Sequence, residues 1–205
     1  MSNRDYWEGS DIYQYPNSDV LRNIQNITDK KILELFEKNV SEIRYQEIVG
    51  IIQSLSINLS LWKKIHQIFF QDVYEWAGEI RTVRITRGST VFCYPEYIQK
   101  NADKVFLELN SENFLVNQPK LFFCQRLACY FCELNMVHPF REGNGRTQKI
   151  LFDEIARRVG YQINWLLLNE EEHLSAVIAG CDQDYHPMTQ VFERIITIFG
   201  EARYV

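Results

Sequence analysis

Twelve consecutive residues, His138-Pro139-Phe140-Arg141-Glu142-Gly143-Asn144-Gly145-Arg146-Thr147-Gln148-Lys149, carry the groups that phosphoryl or nucleotidyl transfer requires. The imidazole of His138 can take a proton near neutral pH. Glu142 offers a hard carboxylate oxygen, and Mg²⁺ typically completes its shell from one or two carboxylates, phosphate oxygens and water. Gly143 and Gly145 permit positive φ and close backbone approach, and Asn144 between them tolerates left-handed geometry. The run then opens a helix, whose first N–H groups form an anion site that the helix dipole reinforces. Arg146 and Lys149 share a face one turn inside that helix, and two cations beside such a nest suit a polyphosphate better than a single carboxylate. Taken singly, each residue has a plainer explanation. A histidine before proline ends a helix, Gly-Asn-Gly makes a turn, Glu142 is a loop carboxylate, and Arg146 with Lys149 is a solvated face. Their coincidence in this order is what points to chemistry, with Phe140 as the apolar anchor of the loop in either case.

Helical segments must position these groups. Pro139 disfavours helical geometry at His138, so a long apolar-rich helix over about Lys120–Met136 should end there. Arg146–Val159 forms the next helix, closed by Gly160. Upstream, Thr28-Asp29 starts a helix in which Ile32, Leu33, Leu35 and Phe36 recur at helical spacing, running through Glu42 towards Val49. Leu59–Trp76 carries an apolar stripe with Gly78 as its stop. Tyr97–Leu109, Glu170–Ala179 and Met188–Phe199 supply the remaining helices. The period changes once: Thr82–Thr86 and Ser89–Cys93 are rich in β-branched residues around Arg87-Gly88, a hairpin signal that Pro95 ends. No other strand is expected, and Tyr6–Leu21 reads as an extended arm.

Bulk properties narrow the class. The chain has 205 residues, enough for one domain that buries a core without disulfides or a structural metal. A formal charge of −5 argues against a nucleic-acid binder with a broad basic surface. The polar, acidic start and the lack of any long apolar run argue against a secretory signal or membrane span, and five irregularly spaced cysteines fit a reducing compartment. The expected location is cytoplasmic. Cys124, Cys129 and Cys132 lie in one helix and read as buried thiols rather than zinc ligands. The acids before His173 match a helix N-terminus, and neither His66 nor His186 is given a role.

The twelve-residue stretch resembles the Fic family signature, H-x-F-x-[DE]-G-N-G-R-x-x-R, at every defined position except the last, where Lys149 stands in place of Arg. The likeness extends along nearly the whole chain. Tyr74–Arg81 is similar to the segment before the family's hairpin, Val83–Cys93 to that hairpin (the flap), and Asp184–Met188 to the stretch before its last core helix. Tyr13–Asn26 is similar to bacterial cell filamentation proteins. The resemblance implies a mainly α, Fic-type helical domain with one β-hairpin flap over the active-site loop. Its core would be residues 59–200, including flap 82–93 and motif 138–149, with residues 1–58 an arm and helices packed on it. It also implies protein adenylylation from ATP and Mg²⁺. His138 would deprotonate a target Ser, Thr or Tyr hydroxyl and Glu142 would bind Mg²⁺. Gly143, Asn144 and Gly145 would form the anion hole, with Arg146 and Lys149 on the phosphates. The flap, through Gly88, Ser89, Thr90 and Phe92, would align the target segment as an added strand. The adenine would lie near the flap and the Glu172–Ala179 helix.

Lys149 keeps the charge of the family's Arg but loses its planar fork, so weaker ATP binding is expected rather than a dead enzyme. Many Fic proteins carry an inhibitory helix of pattern [ST]-x-x-x-E-[GN]. Here Glu8-Gly9, Glu112-Asn113 and Glu142-Gly143 have Arg4, Glu108 and His138 four residues earlier, so none fits. By resemblance the chain is a toxin held in check by a separate small antitoxin that supplies the inhibitory Glu. A type II topoisomerase is the target that family likeness suggests. The competing readings are transfer of a different phosphate-linked group, and a nucleotide-binding pseudoenzyme or interaction domain, for which Lys149 is the sequence support.

Overall fold

Short polar side chains set where the helices begin. In the computed structural model, which describes residues 11–199, Asp29 caps α1 (Lys30–Ile52) by accepting from the Ile32 amide at 3.0 Å. Asn58 does the same for α2 (Leu59–Phe70) through Leu61 at 2.9 Å. Each cap satisfies one of the donors that a helix start leaves unpaired.

The described chain gathers into two compact units, one of residues up to Glu96 together with Pro139–Thr147, the other of Tyr97–His138 together with residues from Gln148 onward. In the first, α1 packs along α2. The buried face of α1 is Leu33, Glu37, Ser41, Ile48 and Ile52, whereas Ile32 and Leu35 are 58% and 61% exposed. The apolar spacing that marked this helix therefore names the buried face only in part, with Leu33 buried and Phe36 half-buried. Glu37 sits on the buried stripe because it has charged and hydroxyl partners there, described below, and Ser41 because its hydroxyl donates to the Glu37 main-chain carbonyl at 2.6 Å. Helix α2 ends at Phe70, not Trp76, because the amides of Val73 and Tyr74 both turn back to the Phe70 carbonyl. Val73 and Tyr74 remain buried in that turn, so the apolar pattern outlasts the helix. Gly78, at φ +85°, belongs to a later turn.

The hairpin is shorter than its β-branched residues suggest. Strands β1 (Thr86–Arg87) and β2 (Thr90–Val91) pair Thr86 with Val91 and Arg87 with Thr90. One further rung runs from the Phe92 amide to the Ile85 carbonyl at 3.2 Å, and Gly88 takes φ +59° at the turn. Of the expected arm, residues up to Ser10 lie outside the described part. From Asp11 the segment is not extended but folds on itself, with Gln14 bridging Leu21.

In the second unit α4 (Lys120–Val137) is central, packed on α3 (Ile98–Ser111), α6 (Glu170–Cys181) and α7 (His186–Ile195). Phe131 of α4 meets Phe152 and Phe192 edge-on at 5.0 and 5.5 Å. Cys124 and Cys132 are buried in the same helix, and burial pushes their thiols up to about 11 and 12. Helix α5 (Asn144–Arg158) begins in the first unit and continues into the second. Gly160, at φ +84°, follows it.

A second ribbon was not anticipated. Strand β3 (Tyr161–Ile163) pairs antiparallel with β4 (Ile196–Ile198), and α7 stops at Ile195 instead of running to Phe199. The run Ile195-Ile196-Thr197-Ile198 is β-branched throughout, which favours an extended chain once a partner strand is at hand. Seven α-helices and two small ribbons make the described chain mainly α, as the sequence implies. None of its helices is long and apolar enough to cross a membrane.

Candidate active site

The Glu142 turn is held from beneath by an aromatic floor. Phe140 is fully buried, stacked on the His66 ring at 3.9 Å and edge-on to Trp62 at 5.5 Å. Asn144 closes the turn: its side chain accepts from the Phe140 amide and donates to the Phe140 carbonyl, both at 2.8 Å. Thr147 adds a buried hydroxyl that donates to the Gly143 carbonyl at 3.1 Å and accepts from Trp62 Nε1 at 3.1 Å. Of the two glycines only Gly143 adopts the left-handed region, at φ +78°, whereas Asn144 and Gly145 already lie in the first turn of α5. An added Cβ at Gly143 would lie 2.3 Å from the Phe70 ring, while one at Gly145 would meet nothing within 4 Å. The space over Gly145 is open.

The Gly143 amide donates to Glu142 Oε1 at 2.9 Å, so an anionic oxygen already sits on the nest. Arg146 lies over the face of Phe70 at 4.8 Å, bonded through Nη1 to Glu37 Oε1 at 2.6 Å and 3.5 Å from Glu142 Oε1. Glu37 also accepts from the hydroxyl of Tyr74, which burial and the Glu37 charge hold well above the usual tyrosine range. Arg146 and Glu142 stay 40% and 41% exposed at their side chains, accessible to a ligand. Among the described residues no three His, Cys, Asp or Glu side chains gather into a metal cage. A lone exposed carboxylate beside amide donors fits a Mg²⁺ that takes the rest of its shell from phosphates and water.

Residue His66 was given no role from the sequence, yet it organises this turn. Its Nδ1 accepts from the Gly78 amide at 2.8 Å, so the ring proton is on Nε2, which donates to the Glu142 carbonyl at 3.0 Å. Burial lowers its pKa to about 3, so the ring stays neutral. Glu37 was missed as well. The available signals were a histidine on the buried stripe of α2 and a carboxylate on the buried stripe of α1.

The remaining expected residues fall as follows. In the flap, Gly88 and Ser89 are exposed, Thr90 is half-buried and Phe92 is buried. In the second unit, His138 is the left-handed C-cap of α4 (φ 45°, ψ 62°), its amide bonded to the Leu134 carbonyl at 3.3 Å. His138 Nδ1 lies 3.2 Å from the Asn135 carbonyl, which can only accept, so Nδ1 carries the proton and Nε2 is the basic nitrogen. Lys149 points its ammonium at the Trp165 ring, 5.3 Å from the centroid, and burial holds it below the ordinary lysine range. One turn on, Asp153 accepts from Trp165 Nε1 at 2.7 Å, and burial pushes its carboxyl up to about 7.

Comparison with known proteins now decides the family. Residues 56–156 match the Fic/DOC family. The chain is 34% identical to "Probable protein adenylyltransferase Fic" of Escherichia coli (strain K12) over 96% of this chain and 98% of that one. The chain belongs to the Fic/DOC family. It is also 35% identical, over 98% of its length and 42% of the relative's, to "Protein adenylyltransferase VbhT" of Bartonella schoenbuchensis. A Fic domain from Bartonella quintana, solved with bound ADP, matches its fold with a TM-score of 0.84 over 92% of this chain and 95% of that one at 24% identity. The residues matched to the family, 56–156, include the twelve-residue stretch and its Gly143 turn.

Proposed function

We propose that this Fic protein is a protein adenylyltransferase that moves AMP from ATP to a Ser, Thr or Tyr hydroxyl of another protein. The observation that carries the reading is the Glu142–Arg146 turn. A left-handed glycine, an exposed carboxylate, open space over Gly145 and a buttressed arginine follow one another at the start of a helix. That is an arrangement for binding phosphates at a helix N-terminus. The adenylyltransferase names of relatives matched over nearly the full chain support the transferred group.

In the reaction, His138 Nε2 takes the proton of the target hydroxyl as its oxygen attacks the α-phosphorus. The bond from that phosphorus to the bridging oxygen breaks and pyrophosphate leaves. Amides of Gly143, Asn144 and Gly145 stabilise charge on the phosphates, which requires donors fixed in advance rather than covalent chemistry. Arg146 contacts the same phosphates, and Phe140 anchors the loop. Glu142 would hold Mg²⁺, which when bound neutralises charge on the departing pyrophosphate. The flap offers the main chain around Gly88, Ser89 and Thr90 as an edge on which an extended target segment can pair, with buried Phe92 fixing its base. Family likeness makes a type II topoisomerase the first target to try, and a small antitoxin supplying a glutamate in trans the first regulator. Both fit a cytoplasmic protein. Mass spectrometry of a bacterial lysate incubated with the chain, ATP and Mg²⁺ is expected to find AMP-bearing peptides that are absent without the chain. A lysate with none counts against the assignment.

Lys149 provides a finer check. An arginine there regains the bidentate fork, and the Lys149→Arg variant is expected to lower the KM for ATP by roughly tenfold with kcat little changed. An unchanged KM would remove Lys149 from the phosphate site.

A further inference from the structure

The flap is too small to hold its own shape. Its strands are two residues each, with one extra rung at Phe92, and an isolated two-stranded hairpin is at best marginally stable in water. If the flap is to present an edge in fixed register to a target segment, something outside the ladder must fix it.

Arg81 is placed to do this. It is 1% exposed, among the largest fully buried side chains of the described residues. Its Nη1 donates to the Val83 carbonyl and its Nη2 to the Cys93 carbonyl, each at 2.6 Å. Val83 lies before the first strand and Cys93 after the second, so one planar guanidinium brackets the open end of the hairpin. The main-chain amide of the same residue donates to the Pro139 carbonyl at 2.9 Å, inside the signature stretch. Three residues earlier, the Gly78 amide reaches the Glu142 carbonyl through the His66 ring. The segment leading to the flap is therefore tied to the signature turn at two points, and Arg81 passes that constraint to both flap strands.

We infer that Arg81 is a positioning residue, which sets the register of the flap against the Pro139–Gly143 turn without touching either substrate. The inference about geometry stands on these bonds; its consequence for transfer rests on the flap acting as the target-docking edge. A buried arginine that bonds two carbonyls cannot be replaced by lysine, whose single ammonium lacks the rigid fork.

Hydrogen exchange and catalysis test this together. In Arg81→Lys, amides of residues 84–92 are expected to exchange about tenfold faster, the effect of losing roughly one net hydrogen bond, while those of α5 keep their protection. Binding of a fluorescent ATP analogue should stay within about threefold, whereas labelled lysate protein formed per pyrophosphate released should fall about tenfold or more. In the unsubstituted chain, which needs no variant to fold, the Arg81 and Phe92 amides should open together at one rate. Flap amides that exchange no faster in the variant, or protection lost equally through α5, overturns the inference, as does independent opening of Arg81 and Phe92. If the unsubstituted chain labels no protein, the adenylylation reading fails while the exchange measurements still decide the role of Arg81.

Discussion

His138→Ala is expected to lower AMP transfer by roughly 10²–10⁴-fold, the usual contribution of a general base. The geometry names the atom as well as the residue. With Nδ1 donating to the Asn135 carbonyl, the neutral ring has its lone pair on Nε2, and a fixed tautomer is what a base needs to be ready without rearrangement. Nucleotide binding should survive, because the Glu142–Arg146 turn is braced by Asn144, Thr147 and His66. His138→Asn is the sharper control. Asparagine tolerates the left-handed backbone at φ 45° yet brings no base, so it should be as inactive as alanine with no loss of folding. Transfer is read with α-labelled ATP under single-turnover conditions, and binding with a fluorescent analogue. A variant that transfers AMP at the original rate would remove His138 from the chemistry and favour a binding module.

Gly143→Ala should be strongly destabilising for a single added methyl. The new Cβ would lie 2.3 and 2.4 Å from two carbons of the Phe70 ring, on a backbone at φ +78° that alanine adopts only under strain. Phe70 is fully buried against His66, Phe69 and Tyr74 at 4.7, 4.9 and 5.9 Å, and it supports Arg146 on its face, so it cannot yield without moving Arg146. Overpacking of about 1–3 kcal/mol and a left-handed penalty of about 1–2 kcal/mol add to a stability loss of roughly 2–5 kcal/mol. Gly145→Ala is the contrast. It has ordinary helical geometry and an empty surround, so chemical denaturation should show no loss of stability. Its ATP affinity should nonetheless fall, because the methyl enters the open space proposed to take the phosphates. Equal stability losses in the two variants would contradict this account of the turn.

What could be read from the sequence was what is local. The helix start at Asp29, the end of α4 ahead of Pro139 and the helix opening after Gly143 all depend on neighbouring residues, and these boundaries lie within a few residues of their expected places. The failures share a cause, which is pairing between distant segments. Strand β3 exists because Ile196–Ile198 lies beside it, 35 positions away at the Gln162–Thr197 pair, and nothing near Tyr161 announces this. The role of His66 depends on a carbonyl 76 residues further on, and that of Glu37 on an arginine 109 residues away. Apolar periodicity likewise reported burial rather than helix when it carried α2 past Phe70, and it reported helix but only partly burial in α1, where Leu33 is buried and Ile32 and Leu35 are exposed. The signature stretch was legible because it is contiguous. The framework that holds it, His66, Arg81 and Glu37, comes from three separate segments.

An adenylyltransferase breaks ATP between its α- and β-phosphates and leaves AMP on protein. Incubation of the chain with a bacterial lysate and ATP labelled at either the α- or the γ-phosphorus, with His138→Asn in parallel, tests for this most directly. Protein is expected to carry α-label and no γ-label, and the signal is expected to be lost in the variant. Protein carrying γ-label, or α-label undiminished by His138→Asn, would contradict the assignment.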